Sequence, residues 1–571
     1  MNLRLILAIV LVGLLGVATS LWLGTRPVAP PEHRLFINGQ VLSMNAENAV
    51  YEAVSLRGEE IERLGSSEQI LALKTDRSLV TDLGGQTLMP GFVDAHGHFP
   101  GSGLTVLGAD LNSPPIGQVQ DIAGLQAALR AKAEERPGSG WLLGIGYDDT
   151  LLAEHRHPTR EDLDAVATDR PIYIAHVSGH MGVANSMALA ELGIDAASED
   201  PIGGVIRRQP GLREPAGLLE ETAHMPAMAK AMDFSMLEAV EMALSASEEY
   251  AAQGVTTAQS GGVDSGLASG LATLSRLNML APRLVLFPFY DMLGADLLAG
   301  TVVKSEFESE KLRLGPVKIV ADGSIQGYTG YLGHPYHEPY KGDANYRGYP
   351  TIPREQLVEI VARFHEAGYQ LAIHGNGDGS IDDILHAFEL AQQKRPEADP
   401  RLVLIHAQMA REDQLQKMQR LGVTPSFFSA HTYYWGDRHR DIFMGPERAA
   451  RMSPTRSAQS LGLRYSVHLD TPVVPMQPLQ LLWSTVNRIS TGGNVIGAEQ
   501  RVSPEAALRA MTIDAAWQVF QEDRIGSLEP GKLADLVWLS GDPLQTNGDV
   551  RELEVVETLV GGVTVYRRDG H

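Results

Sequence analysis

The sequence predicts an α/β protein organised as a (β/α)8 TIM-type barrel, with a small β-sandwich domain drawn from both chain ends. Three observations carry that expectation. Short apolar runs alternate with helical stretches through the middle of the chain, the pattern of βα units on a parallel sheet. Several of those runs end in His, Lys or Asp, and in a closed barrel the C-terminal strand ends share one mouth. Both ends of the chain, by contrast, are rich in short strands and turn residues. At 571 residues the chain is too long for one small core but accommodates a large barrel with additions.

Taken in order, Leu5–Gly24 carries no charge and has the length a helix needs to cross about 30 Å of hydrocarbon. It is read as an uncleaved membrane anchor, in narrow preference to a signal peptide cut near Ala18-Thr19-Ser20. Arg4 favours a cytoplasmic N-terminus and Arg26 weakens that bias. Either way the body is expected outside the cytoplasm, on the periplasmic or extracellular face. Residues 25–31, with three prolines, form the linker. Residues 32–88 and 524–571 are expected to build the composite β domain, with a hairpin around Asn38-Gly39 and another turn at Gly561-Gly562.

The barrel is expected over residues 89–523. Its strands are read at Phe92–His98, Val255–Ser260, Leu284–Tyr290, Val317–Asp322, Gln370–His374, Leu402–His406, Thr424–Ser429 and Arg464–Asp470. Helical patterns such as Met236–Gln253, Arg354–Ala367 and Arg411–Leu421 separate them. The stretch from about 104 to 226 is too long for one crossover and is read as an insertion after the first strand.

Composition narrows the chemistry. Lys plus Arg number 47 against 70 Asp plus Glu, a formal charge of -23, and no long basic run occurs, which argues against a nucleic-acid partner. The chain has no cysteine, so disulfides, thiolate nucleophiles and Cys-ligated zinc are excluded. Any metal must sit on His, carboxylate or a modified Lys.

The stretch Met89–Pro100, MPGFVDAHGHFP, holds the first ligand candidates. On an extended strand His96 and His98 would point to one face, and two neutral imidazoles suit a borderline divalent ion such as zinc. Lys318 lies inside the apolar run GPVKIVADGS, where a bare ammonium is costly unless it pairs with a carboxylate such as Asp322 or loses its charge. LAIHGNGD ends in His374, LVLIHAQ in His406 and LRYSVHLDTP in Asp470. Each histidine alone reads as a satisfied core imidazole. Gathered at one end of successive strands, they point to a metal centre.

MPGFVDAHGHF, VKIVADGS, the two strand-end histidines, LDTPV and the tail GSLEPGKLADLVWLSGDPL resemble the amidohydrolase superfamily, and in particular its YtcJ-like branch, which includes N-substituted formamide deformylases. AHVSGHMGVANSMAL and FFSAHTYYWGDRH fit the same branch. The resemblance implies two divalent metals, taken as zinc. His96 and His98 would hold the more buried ion and His374 and His406 the more exposed one. Lys318, carboxylated, would bridge both. Asp470 would ligate the first ion and shuttle the proton. The loop HGNGDGS departs from the His-Ala-x-Gly-Asp pattern of relatives, with His374 and Asp378 kept in register.

The function so implied is hydrolysis of a C–N bond in an amide, N-acyl or N-formyl compound. Deamination of a nitrogen heterocycle, ester or lactone cleavage, and a binding or regulatory protein with a relic site remain as alternatives. His180, His431, Tyr434 and Trp435 are the substrate-binding candidates. Tyr433 is read with them as aromatic wall or as loop packing, and Glu220, His334 and His337 are weaker candidates. The expected partners are a small-molecule substrate and, through an uncleaved N-terminal helix, a membrane. Assembly with further copies of the chain stays open.

Overall fold

The computed structural model describes residues 28–545 and 548–569. Leu5–Gly24, read as anchor or signal segment, lies outside the described residues. Among the described residues no helix is long and apolar enough to cross a membrane.

Each of the eight expected barrel segments contains a strand: Phe92–Val93 (β1), Val255–Val263 (β2), Arg283–Pro288 (β3), Val317–Val320 (β4), Leu371–Gly375 (β5), Leu402–His406 (β6), Val423–Phe427 (β7) and Ser466–Val467 (β8). Neighbours pair in parallel from β1 to β3 and from β4 to β8. Two joints close the ring. Tyr290 N donates to Lys318 O at 3.0 Å between β3 and β4, and His98 N donates to Thr471 O at 2.7 Å between the segments following β1 and β8. Buried on both faces, such strands read as continuous apolar runs, and all five residues of β6 (LVLIH) are buried.

Alternation along the strands sorts the side chains. Val285 and Phe287 of β3, Ala372 of β5 and Val403 and Ile405 of β6 pack in one cluster, as alternate residues of a strand must. The opposite faces take the helices. In Arg354–Glu366 the buried residues Leu357, Ile360, Val361 and Phe364 recur at helical spacing, which turns one stripe toward the sheet. Each such side chain contributes about 1.5–3 kcal/mol by leaving water.

The chain between β1 and β2 folds into its own six-stranded sheet, with Ile172–His176 and Met181–Ala184 at its centre and Pro215–Glu221 beside them. Apolar clusters pack around this sheet. Strands from both chain ends meet elsewhere. Val563–Arg567, Val555–Val560 and Leu536–Leu539 join Thr87–Pro90, Gln40–Leu42 and Val50–Tyr51 in one sheet. Phe36, Leu56, Leu88, Leu536 and Leu559 form a core between it and a four-stranded N-terminal sheet. The turn at Gly561-Gly562 joins antiparallel strands as expected.

The hairpin expected at Asn38-Gly39 does not form. His33–Ile37 enters the four-stranded sheet and Gln40–Leu42 the six-stranded one. The turn carries the chain across the sandwich because Leu83 fills the inside of the bend. A Cβ on Gly39 would lie 2.3 Å from Leu83 Cδ1, so only glycine passes there.

Candidate active site

The six ligand-type residues gather at the C-terminal mouth of the barrel. β1 ends at Val93, so His96 and His98 sit on a turn beyond it and not on the extended strand expected. That turn is tight. A Cβ at Gly97 would lie 2.4 Å from Asp94 Oδ2, and one at Gly261 of β2 would lie 2.3 Å from His96 Cε1. The two glycines leave the space in which both imidazoles converge, their ring centres 5.1 Å apart.

Lys318, midway along β4 and 2 % exposed, brings Nζ to 2.9 Å from His96 Nε2. Asp470, following β8, sets Oδ1 at 3.2 Å from His98 Nε2 and 3.5 Å from His96 Nε2, and Oδ2 at 3.8 Å from His406 Nε2. The His374 and His406 rings stand 4.5 Å apart at the ends of β5 and β6. His406 (φ 68°) and Asp470 (φ 59°) adopt the left-handed backbone that non-glycine residues seldom take, a strain typical of functional positions.

The electrostatics follow from burial. It pushes His96 and His406 well below the ordinary histidine range and lowers His374 too, which favours the neutral imidazole. It pushes Lys318 down to about 7, against the pull of Asp470. Burial alone would raise Asp470, but the neighbouring imidazoles of His406, His98 and His96 hold its carboxyl well below the usual range.

A small polar cavity adjoins this cluster, and His180, Gln326, His374, Asn376, His431 and Asp470 are among the residues that line it. His180 reaches in from the insertion. Its Nδ1 lies 3.0 Å from Glu221 Oε2 and its ring centre 5.0 Å from that of His374. Burial works against its charge, yet the Glu221 carboxylate raises it above the ordinary histidine range. His431 stacks near Phe428, ring centres 4.0 Å apart.

Tyr434 and Trp435, expected to line the pocket, lie one layer behind His431 and do not border the cavity. Trp435 is buried against the insertion, where its Nε1 donates to Asp148 Oδ2 at 3.1 Å. Tyr433 packs edge-on against Trp483. Glu220 pairs with Arg207, away from the cavity, and His334 and His337 stay in the loop after β4 without bordering it.

A model of the amidohydrolase family matches residues 79–566. The chain belongs to the amidohydrolase family. It is 30 % identical over 549 residues to the N-substituted formamide deformylase of Arthrobacter pascens, covering 94 % of this chain and 98 % of that one. It is 27 % identical over 553 residues to the putative amidohydrolase YtcJ of Bacillus subtilis (strain 168), covering 93 % and 98 % of the two chains. The crystal structure of a metal-dependent hydrolase from Pyrococcus furiosus superposes with a TM-score of 0.70 at 25 % identity, over 90 % of this chain and all (100 %) of that one. The amidohydrolase is thus an α/β enzyme of the TIM-barrel superfamily, a metal-dependent hydrolase acting on C–N bonds.

The donor set of this amidohydrolase fits a divalent ion. His96, His98 and Asp470 bring ligand atoms within 4.8 Å of one another. Buried His96 Nδ1 and Asp470 Oδ1 make no hydrogen bond within the protein. Imidazoles and one carboxylate, with no thiolate, are ligands for zinc-like ions.

Sequence reasoning missed the supports behind these groups. Asp322, fully buried, does not pair with Lys318. Its Oδ1 accepts from Asn376 N at 3.0 Å and lies 3.2 Å from His374 Nδ1, while its Oδ2 accepts from Tyr331 N at 3.0 Å and Gly377 N at 2.9 Å. His468 places Nε2 at 3.1 Å from His406 Nδ1. Standing two residues before Asp470 in the same run, it was findable by the period-2 rule. Glu221, beside the Glu220 that was weighed, carried no such signal.

A second ion-type group, Asp148, Asp149 and His176, lies in the insertion. Its members already pair with one another and with neighbouring side chains. Asp148 Oδ2 accepts from Arg438 at 2.7 Å, and Asp149 faces His176 at 3.2 Å and His157 at 3.5 Å.

Proposed function

We propose that this amidohydrolase removes a small acyl group, such as formyl, from a substituted nitrogen, using two zinc ions held by His96, His98, Lys318, His374, His406 and Asp470. The observation that carries the reading is Lys318: an amine buried in an apolar strand, its Nζ 2.9 Å from an imidazole nitrogen and without a hydrogen bond to any carboxylate among the described residues. An amine pushed down to about 7 is neutral enough to add carbon dioxide, and the resulting carbamate is the anionic oxygen donor the cluster otherwise lacks. His96, His98 and Asp470 would hold one ion, His374 and His406 the other, and carboxylated Lys318 both.

Ions so held would polarise the substrate carbonyl and lower the pKa of a water toward neutrality. The chain's own groups do the rest. Asp470, kept ionised by the imidazoles around it, accepts the proton released as water adds to the carbonyl carbon. It returns that proton to the nitrogen as the C–N bond breaks, so amide and water leave as carboxylic acid and amine. Asp322 and His468 fix the rings of His374 and His406, which keeps the nitrogens of these two rings aimed at the mouth. His180 and His431 form the cavity wall nearest these groups, where an acyl substrate is positioned. The uncharged Leu5–Gly24 supports an exported body, anchored or secreted, and N-terminal sequencing of exported protein distinguishes the two.

The purified chain, screened against N-formyl and N-acyl amines, is expected to release carboxylate and amine in equal amounts. Ammonia from a nitrogen heterocycle with no amide turned over would replace this reading with deamination.

A further inference from the structure

Among the described residues, several atoms of the cavity lining have no hydrogen-bond partner, Gln326 Oε1, Asn376 Oδ1 and His431 Nδ1 among them. Gln326 lies in the loop after β4, 5 % exposed and on the cavity rim. The loop around it is pinned: Ser324 N donates to Thr329 Oγ1 at 3.0 Å, Gly327 N to Ser324 Oγ at 3.1 Å, and Gly330 N to Ser324 O at 2.9 Å. The backbone therefore holds the side chain in place while its buried Oε1 has no hydrogen-bond partner. Asn376 Oδ1 is likewise unpartnered, but its Nδ2 is held by Gly323 O at 3.0 Å and lies 3.2 Å from His374 Nε2, which keeps that amide beside the histidine. Burying an amide oxygen without a partner is unfavourable, so such a group in a native fold calls for an occupant.

We propose that Gln326 is a specificity-determining residue whose Oε1 accepts a hydrogen bond from the scissile N–H, favouring amides that carry that hydrogen over N,N-disubstituted ones. The inference rests on the acyl-nitrogen reading above and deepens it. An amide substrate offers two polar edges. Its carbonyl oxygen is an acceptor and would be repelled by Gln326 Oε1, whereas its N–H is the complementary donor. An N,N-disubstituted amide has no such hydrogen, leaves Oε1 unpaired and brings a methyl or larger group against it. Sites built around a buried hydrogen bond reject analogues that lack it more strongly than apolar pockets discriminate by size.

The test compares N-benzylformamide with its N-methyl derivative on the full chain, by turnover and by calorimetric binding in an Asp470→Asn background. The parent is expected to favour the N–H compound by roughly ten- to a hundredfold in both readouts. Gln326→Met, close in shape but without an acceptor, should lose most of that preference through a raised KM for the N–H compound. Gln326→Glu retains an acceptor and should keep the preference, which a merely structural role would not predict. Equal preference in parent and Gln326→Met, or equal loss in both variants, overturns the proposal. A Gln326-dependent preference in binding without turnover of either amide would sustain it while overturning the hydrolase reading.

Discussion

At the scale of single residues, the cluster depends on groups that never touch substrate. Asp322 accepts from three backbone N–H groups and lies 3.2 Å from His374 Nδ1, and so joins the loops after β4 and β5 beside one imidazole. Removing a carboxylate that orients a ligating histidine lowers metal affinity by roughly 10–100-fold. Asp322→Asn is therefore expected to weaken binding of one ion by about that factor and leave the other nearly unchanged, as two separable steps in a zinc titration. Uniform loss of both would place the effect in folding. The same scale explains what could be read in advance. His96, His98, Lys318, His374, His406 and Asp470 each stand within or just beyond an apolar run, so strand periodicity brings them to one rim. Glu221 and Gln326 belong to the insertion and to a loop, and their neighbours are set by tertiary packing that no local pattern encodes, while Asp322 ends an apolar run but turns to other partners than Lys318.

At the scale of elements, the insertion is coupled to the segment after β7 through Asp148. Its Oδ2 accepts from Trp435 Nε1 and from Arg438, which also bonds Thr150. This contact holds Trp435 against the insertion, behind His431, an arrangement invisible in the aromatic run HTYYW because Asp148 is remote in sequence. Burial alone would raise Asp148, but Arg438, then His176 and the Thr150 hydroxyl, bring it down to about 2, against 3.8 for a free Asp side chain. A carboxyl lowered in the folded chain stabilises it fully above the unfolded value and loses that contribution as pH falls toward the folded value. The difference is on the order of 2 kcal/mol. Asp148→Asn is thus expected to lower stability by about that much at pH 6. The gap from the parent should close between about pH 4 and pH 2, in urea melts at several pH values. A gap independent of pH would mean that Asp148 acts by packing alone. Strand ends show the complementary lesson. Asn38-Gly39 carries the strongest local hairpin signal, yet Leu83 packing inside the bend sends the two strands into different sheets.

At the scale of the whole molecule, the barrel was legible because eight apolar runs with intervening helical stripes admit few closed arrangements, and the paired strands follow chain order around the ring. The internal sheet of the insertion was not, since the order of its strands depends on apolar clusters formed only on folding. The six candidate ligands span positions 96 to 470, so ions gripped by them would cross-link β1, β4, β5, β6 and β8 and stabilise the barrel by mass action. The most direct measurement is the zinc content of the saturated, desalted chain by inductively coupled plasma mass spectrometry, with Lys318→Ala alongside. The account predicts about two ions per chain in the parent and a clear deficit without Lys318. A parent chain that retains one ion or none, or a Lys318→Ala variant that retains the full complement, would contradict it.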